Sequence, residues 1–315
     1  MENRFNFQKK DIYELKIVSN KKINENIFLL ELSKPQNFLI FPGQFINLQI
    51  DNNSYDPFLR RPFSIFNIDD KKIYILYLVK GKGTKILSEK RKGEFINIIG
   101  PLGNRFNIEK NDLNIFVAGG IGIATINFLA LTIKKVKVGE IKSNNNNNNN
   151  SYSNKKNNYI KNILFYGVKN KDYLIKFEYF KNNFDEIFIS MDELDKNNSF
   201  NQEKLFNKNK IFNLIQKYEK GNVIDLLNSK ISNKVFFENK IKNKNIKFYV
   251  CGPDPMLKSF IKWNEYWKFD AELSLESFMG CGFKACLGCA VLTKENIYKY
   301  VCDDGPIFKY DELVI

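Results

Sequence analysis

Four of the five cysteines lie close together near the end of the printed sequence, three in 281-CGFKACLGC-289 and the fourth at Cys302. Their spacing is C-x4-C-x2-C-x12-C. A plant-type [2Fe–2S] cluster takes three thiolates from a tight loop with this spacing and a fourth from a separate segment. Cys281, Cys286, Cys289 and Cys302 are therefore predicted to bind such a cluster, which is an electron-transfer site.

The chain has no histidine, which excludes mixed cysteine and histidine zinc sites, Rieske ligation and every histidine-based catalytic triad. Two alternatives to an iron–sulfur cluster stay open: a structural zinc held by four cysteines, and buried thiols that bind no metal. Zinc ribbons usually pair two C-x2-C knuckles, and only one is present, which favours the cluster. Gly280, Gly282 and Gly288 allow the backbone to wrap closely around it.

The segment 60-RRPFSI-65 places a cation, an aromatic ring and a hydroxyl on one predicted strand. Arg61 can reach a pyrophosphate, Phe63 can lie against a flat ring and Ser64 can hydrogen-bond to a flavin edge. The alternative is an ordinary barrel strand with an exposed arginine. The turn 81-GKGT-84 follows. Its glycines allow backbone amides to approach a phosphate, and the Thr84 hydroxyl is a further hydrogen-bond donor for that phosphate.

Two further glycine motifs each follow a predicted buried strand. In 119-GGIGIAT-125 the glycines stand between a strand and a helix, where a helix N-terminus offers free N–H groups. In 251-CGPDPM-256, Cys251 and Gly252 come at the carboxyl end of a parallel strand, where ligands bind in this architecture. For 251-CGPDPM-256 the alternative is a buried thiol before a proline turn. For a further glycine segment, 100-GPLGN-104, the alternative is a simple turn.

The pattern of predicted strands and helices that position these motifs changes along the chain. Residues 10–108 carry closely spaced β-rich runs between turn signals, which predicts an antiparallel barrel. From residue 112 strands alternate with helices, which predicts a parallel, doubly wound sheet. Residues 136–160, which include an asparagine tract, and residues 193–220 are predicted surface insertions, the first of them disordered.

Composition excludes several other classes of protein. The net charge of +14 comes from lysines spread through asparagine-rich stretches, with no single basic helix, so we expect no nucleic-acid partner. The uncharged run 115–133 is broken by glycines, which indicates a strand and a packed helix, so we expect no membrane span. The start MENRFNFQKK has no apolar signal region, and cysteines reserved for metal fit a reducing compartment, so we expect a cytoplasmic protein.

Taken in order, RRPFS, GKGT, GPLGN, GGIGIAT, CGPDPM and CGFKACLGC with a final CDDGP resemble the ferredoxin-reductase-like superfamily. The nearest resemblance is to the family of electron transfer subunits of NAD-dependent dihydroorotate dehydrogenases, over nearly the whole chain except the two insertions. This implies an α+β multidomain fold: an FAD-binding barrel over residues 1–110, an NAD-binding α/β domain over 111–272 and a [2Fe–2S] segment over 273–315.

The resemblance also implies a role for each motif. Residues that would hold FAD are Arg61, Pro62, Phe63, Ser64, Leu76, Tyr77, Leu78, Gly83 and Thr84, and those that would border the nicotinamide are Gly119, Gly120, Gly122, Cys251 and Gly252. In that family a separate FMN-containing subunit oxidises dihydroorotate during pyrimidine biosynthesis, and its electrons pass through the cluster and FAD to NAD+. The expected assembly is a heterotetramer of two plus two subunits.

Two positions depart from the family pattern. Leu78 stands where a basic residue is common, and Lys284 replaces a common glycine of the cysteine loop, where its charge is expected to raise the cluster potential. Two rival functions stay open. The chain is alternatively the flavin and iron–sulfur subunit of a cytoplasmic hydrogenase or of a ferredoxin:NAD(P) oxidoreductase, or, in a different class, a four-cysteine zinc module that binds nucleic acid.

Overall fold

The computed structural model describes residues 10–51, 56–145, 161–193 and 215–314. They form two compact units. The first contains the chain up to Phe106 together with Ser274–Phe308 and the final residues from Glu312, and the second contains Asn107–Leu273 and Lys309–Asp311. The cysteine segment and the predicted flavin barrel therefore belong to the same compact unit.

The first unit is built on a seven-stranded antiparallel sheet, as the β-rich sequence predicts. Its elements are β1 (Asp11–Lys22), β2 (Ile27–Ser33), β3 (Phe45–Gln49), β4 (Arg61–Ser64), β5 (Asn67–Ile68), β6 (Lys72–Leu78), helix α1 (Lys82–Glu89) and β7 (Phe95–Leu102). The strand order is β4-β3-β7-β1-β2-β6-β5. Side chains that alternate along these strands, such as Ile73 and Ile75, are buried in the core of the unit.

The second unit contains the predicted parallel sheet. Its elements are β8 (Leu113–Gly119), α2 (Ile123–Asn145), β9 (Lys161–Val168), β10 (Glu186–Met191), β11 (Ile215–Lys220), α3 (Val223–Ile231), β12 (Ile246–Cys251), α4 (Asp254–Trp267) and β13 (Asp270–Ser274). Strands β11, β10, β9, β8 and β12 lie side by side and run parallel. Every residue of β8 is buried, as expected for a strand covered on both faces.

Short elements complete the chain. The cysteine segment contains β14 (Ala290–Leu292) and β15 (Tyr298–Tyr300), which pair as an antiparallel hairpin, and β16 (Ile307–Lys309) follows. The single-turn helical segments are Gly120–Gly122, Lys171–Tyr173, Phe177–Tyr179, Lys181–Asn183, Lys234–Phe236 and Phe237–Ile241. Within the described ranges, no helix combines the length and apolar character that a bilayer crossing needs.

The two predicted insertions lie largely outside the described residues, which omit 146–160 and 194–214. The described ends of both segments are regular. Helix α2 continues through the first part of the segment 136–160 to Asn145, and the last six residues of the segment 193–220 form β11, which pairs with β10.

Candidate cofactor sites

The hairpin of β14 and β15 explains the twelve-residue spacing between the last two cysteines. Cys289 directly precedes β14, and Cys302 follows β15 after one residue. Antiparallel pairing of Ala290 with Tyr300 returns the chain beside its starting point, and the Val301 N–H donates to the Cys289 carbonyl over 3.0 Å. The fourth cysteine is therefore brought back to the loop that carries the other three.

The four thiols lie in two neighbouring pairs. Cys281 lies beside Cys286, whose N–H is 3.3 Å from the Cys281 sulfur. Cys289 lies beside Cys302, whose N–H is 3.5 Å from the Cys289 sulfur. Cys286 is exposed, whereas Cys289 and Cys302 are buried.

Backbone N–H groups surround the Cys281 sulfur. Phe283, Ala285 and Cys286 donate to it at 3.5, 3.2 and 3.3 Å. Burial raises the pKa of the Cys281 thiol, but these donors and the Cys286 thiol outweigh burial and lower the pKa to about 7. The loop is therefore arranged to stabilise a thiolate, the form that binds iron.

The second pair lies in a drier environment. Burial and a hydrogen bond with Cys289 raise the pKa of the Cys302 thiol to about 12. The Lys284 N–H nevertheless donates to the Cys302 sulfur over 3.2 Å, across the cysteine loop. Metal binding would have to displace the proton from this thiol, as it does for coordinating thiols in general.

The donor set fits a two-iron cluster better than a single ion. A zinc site needs four sulfurs around one point, whereas a [2Fe–2S] cluster has two irons and takes two thiolates on each. The pairs of Cys281 with Cys286 and of Cys289 with Cys302 match the second requirement.

Lys284 carries both a backbone and a charge feature of this loop. Its φ is +66°, in the region that glycine adopts without cost, so the glycine that the family resemblance implies at this position would fit the same backbone. Its Nζ lies 3.2 Å from an Asp304 oxygen and 3.5 Å from an Asp303 oxygen. The positive charge of Lys284, which the sequence predicts to raise the cluster potential, is thus paired with two carboxylates.

Removing this charge should lower the cluster potential. In Lys284→Gln, Asp303 and Asp304 would keep negative charge near the sulfurs and disfavour the added electron. Redox titration followed by electron paramagnetic resonance should give a lower midpoint potential for Lys284→Gln and an unchanged one for Lys284→Arg. An equal shift in both variants would indicate that packing, and not charge, sets the effect.

The predicted flavin strand and the GKGT turn meet in the first unit. Gly83 faces Arg61, because a Cβ added to Gly83 would lie 3.6 Å from the arginine Nε. Nη1 of Arg61 donates to the carbonyls of Leu59, at 2.7 Å, and Arg60. Within the described part of the chain, no carboxylate pairs with Arg61. A half-buried, uncompensated guanidinium beside a helix N-terminus suits a pyrophosphate group.

Several predicted FAD residues contribute to the barrel core. Phe63 is 8% exposed and packs edge-on against Tyr77 with ring centres 6.0 Å apart. Leu76 and Tyr77 are also buried, whereas Leu78 is half-buried. Little of the Phe63 ring is therefore open to stack on a ligand.

The remaining predicted FAD residues lie in strand β4 and in the first turn of helix α1. Pro62 and Ser64 are half-buried and, because strand side chains alternate, lie on the face opposite Arg61 and Phe63. The Thr84 hydroxyl donates to the Gly81 carbonyl over 3.1 Å and accepts from the Lys80 N–H over 2.9 Å. In the structure Thr84 therefore caps the start of α1, which sequence reasoning treated only as a loop.

The two glycine motifs of the second unit lie together. They follow the adjacent parallel strands β8 and β12, in which Ala118 pairs with Cys251. A Cβ on Gly122 would lie only 2.3 Å from the Cys251 carbonyl oxygen, so this approach requires glycine. Gly120 has a φ of +52°, and no atom lies within 4 Å of its added Cβ, so the loop presents bare backbone beside open space. Such a surface suits a nucleotide.

Met256 is a residue of this region that the motif reading did not single out. Its sulfur would lie 2.6 Å from a Cβ on Gly119, and its methyl carbon 2.5 Å from a Cβ on Gly252. Met256 therefore fills the space between the two glycine loops. The sequence feature that could have identified Met256 is its place in the CGPDPM motif, at the start of α4.

Comparison with known families agrees with both cofactor sites of the first unit. Residues 276–314 match the iron-sulfur cluster binding domain of dihydroorotate dehydrogenase B. Residues 14–106 match the oxidoreductase FAD-binding domain. Together these matches cover the cysteine segment and the antiparallel sheet.

Similar proteins are found over almost the full chain. The dihydroorotate dehydrogenase B (NAD(+)) electron transfer subunit of Geobacillus sp. (strain WCH70) is 31% identical over 96% of this chain and 98% of its own length. The protein of the same name from Caldanaerobacter subterraneus subsp. tengcongensis is 29% identical over 95% of this chain and 97% of its own.

Solved structures share the fold. A structure described as an NADH-dependent reduced ferredoxin-NADP oxidoreductase has a TM-score of 0.70 at 24% identity, over 95% of this chain and 89% of its own. A ferredoxin NADP+ reductase from Neisseria gonorrhoeae with bound FAD and NADP has a TM-score of 0.55 at 15% identity, over 80% and 89%. The ferredoxin-reductase-like fold expected from the motif order is thereby confirmed.

Proposed function

The chain belongs to the family of dihydroorotate dehydrogenase B electron transfer subunits, and we propose that it passes electrons from a dihydroorotate-oxidising partner subunit to NAD+. FAD, NAD and a [2Fe–2S] cluster, when bound, supply the hydride and single-electron chemistry. The observation that carries the proposal is the arrangement of four cysteines in two neighbouring pairs, in the same compact unit as the flavin-type sheet.

The chain's own residues mainly bind and orient. Arg61 would neutralise the FAD pyrophosphate beside the start of α1, and the bare backbone at Gly120 would approach the nucleotide. The N–H groups around the Cys281 sulfur would stabilise the ligated thiolate. None of the predicted site residues needs to act as an acid or base, because the proposed chemistry belongs to the cofactors.

The proposed partner is an FMN-containing catalytic subunit, and the proposed assembly contains two copies of each. The names of the full-length relatives support a catalytic partner, since each is an electron transfer subunit of dihydroorotate dehydrogenase B. A cytoplasmic location is proposed from the cysteines, because thiols kept for a metal site require a reducing compartment.

A ferredoxin:NAD(P) oxidoreductase subunit is the second candidate, because the structure with a TM-score of 0.70 carries such a name. That likeness, at 24% identity, concerns the fold. The match of residues 276–314 to the cluster-binding domain of dihydroorotate dehydrogenase B favours the first candidate.

Metal and flavin analysis tests the cofactor content. Protein purified anaerobically should contain about two irons and about one FAD per chain, the stoichiometry of such sites. Stoichiometric zinc without flavin absorbance would contradict the proposal and support the four-cysteine zinc alternative.

Cys251 provides a separate test of the nucleotide site. Cys251→Ser should keep the iron and FAD but slow the bleaching of flavin absorbance by NADH about tenfold to a hundredfold, because small misplacements of reacting groups are costly. Stopped-flow absorbance measures this rate. An unchanged rate in a stably folded variant would return this residue, which is 3% exposed, to a purely structural role.

A further inference from the structure

The cysteine segment is held to the flavin barrel at both of its ends by barrel residues that are not ligands. Asn47 of β3 contacts the segment at its first cysteine, and Asn104, just after β7, contacts it beyond its last. Strands β3 and β7 are neighbours in the barrel sheet, and Phe45 pairs with Leu102. Both anchors therefore come from one part of the barrel.

Asn47 is fully buried, and its amide faces the start of the cysteine loop. Its Nδ2 donates to the Cys281 carbonyl over 3.4 Å, a long hydrogen bond. Its Oδ1 is also buried and has no hydrogen-bond partner among the described residues. Leaving a buried carbonyl unpaired is costly, so the amide is a poor choice for the barrel core alone.

Gly282 fits against this same amide. A Cβ added to Gly282 would lie 1.9 Å from Asn47 Nδ2, and its φ is +82°. The glycine therefore both allows the turn after Cys281 and lets the loop approach the asparagine. On the barrel side, Asn47 lies opposite Pro62 of the predicted flavin strand.

Asn104 makes three side-chain hydrogen bonds at the other end. Its Nδ2 donates to the carbonyls of Asp304 and Ile307 at 2.7 and 2.8 Å, and its Oδ1 accepts from the Ile307 N–H at 2.9 Å. A Cβ on Gly103 would lie 2.6 Å from the Pro306 ring. The GPLGN turn is thus shaped to receive the CDDGP turn that follows the fourth cysteine.

We propose that Asn47 and Asn104 are positioning residues that hold the two ends of the cluster-binding segment on the flavin barrel and thereby set how firmly the cluster is kept. The inference rests on the cluster proposed above. Residues that contact and orient metal ligands without binding the metal are important for the site. Their removal changes metal affinity or activity by about tenfold to a hundredfold. The barrel thus contributes to the cluster site without supplying a ligand.

Iron release provides the first test. Asn47→Ala and Asn104→Ala should each release iron to a chelator about tenfold to a hundredfold faster than the parent protein, with FAD content unchanged and an altered resonance spectrum of the reduced cluster. Asn264→Ala is the matched control, because Asn264 is a buried asparagine of the second unit whose amide bonds to Phe269. Equal iron release in all three variants would overturn the proposal.

A double-mutant cycle tests the contact between Asn47 and Gly282 directly. Gly282→Ala should lower iron occupancy at least threefold, because the new Cβ would overlap the amide. Adding Asn47→Ala removes the overlapping atoms but also removes the anchor, so the double variant should lose less iron than the two single losses combined would give. Losses that combine in full would show that Asn47 and Gly282 act independently, and would overturn the contact between them.

Hydrogen exchange in the iron-free chain separates this inference from the proposed function. Exchange of the amides of residues 281–287 in Asn47→Ala, and of residues 302–307 in Asn104→Ala, should be about tenfold faster than in the parent. Unchanged exchange in both variants would overturn the inference. A parent protein that shows protected amides but takes up no iron would refute the proposed function, and it would leave only the anchoring of the segment by Asn47 and Asn104 supported.

Discussion

Replacing Cys286 by serine should abolish the resonance signal of the reduced cluster, because an alcohol is a poor iron ligand at neutral pH whereas a thiolate is a good one. Cys286 is the exposed member of its pair, so the substitution disturbs little packing. Dihydroorotate-dependent NAD+ reduction in the complex should fall to the background rate, because a required electron carrier is lost. FAD should remain bound to the barrel.

Cys251→Ser is the control for the loss of a thiol, because Cys251 lies at the end of β12 in the other unit. It should keep the full cluster signal. NADH-driven reduction of ferricyanide should survive in Cys286→Ser, since that activity needs only flavin and nucleotide. A persistent cluster signal in Cys286→Ser, or loss of both activities with flavin still bound, would contradict the ligand assignment or the order of the carriers.

Replacing Arg61 by leucine should weaken FAD binding on the order of 10- to 100-fold, the effect of losing a charge-assisted hydrogen bond to a phosphate. Arg61 is half-buried, faces Gly83 and has no carboxylate partner in the described ranges, so its charge is available to an anion. Fluorescence titration of the flavin-free protein with FAD measures the change in affinity.

The neighbouring arginine is the control for Arg61. Arg60 donates to the side chain of Gln49 over 3.0 Å and to the carbonyl of Asn97 over 3.2 Å, so its guanidinium ties strands of the sheet together. Arg60→Leu should lower the melting temperature but leave the FAD affinity of the folded protein close to that of the parent. Equal loss of affinity in both variants would assign the effect to the sheet and remove Arg61 from the FAD site.

The parts of the structure that depend on local sequence were predicted well. The uncharged run 115–133, which glycines break, indicated the buried strand β8 and the packed helix that follows it, and the closely spaced β-rich runs indicated the antiparallel sheet of the first unit. The cysteine spacing indicated four candidate ligands, which stay a prediction, and it did not show the hairpin that brings Cys302 back to Cys289. Helix α1 was missed because it is only eight residues long and begins inside the GKGT turn.

The support of the cysteine segment could not be predicted from the sequence. Asn47 lies 234 positions before Cys281, and Asn104 lies 200 positions before Asp304. A polar residue within a barrel strand gives no local sign of the loop that it contacts, and only the folded chain brings the two together. Lys284 is a similar case, because its pairing with Asp304 depends on the hairpin between them.

Production of NADH from dihydroorotate tests the central claim most directly. The chain is co-purified with its candidate FMN-containing subunit, and NAD+ reduction is followed with dihydroorotate as the only electron donor. NADH should form with the complex and not with either subunit alone. NADH formation from reduced ferredoxin but not from dihydroorotate, by a complex that contains iron and both flavins, would contradict the account and assign the chain to the oxidoreductase alternative.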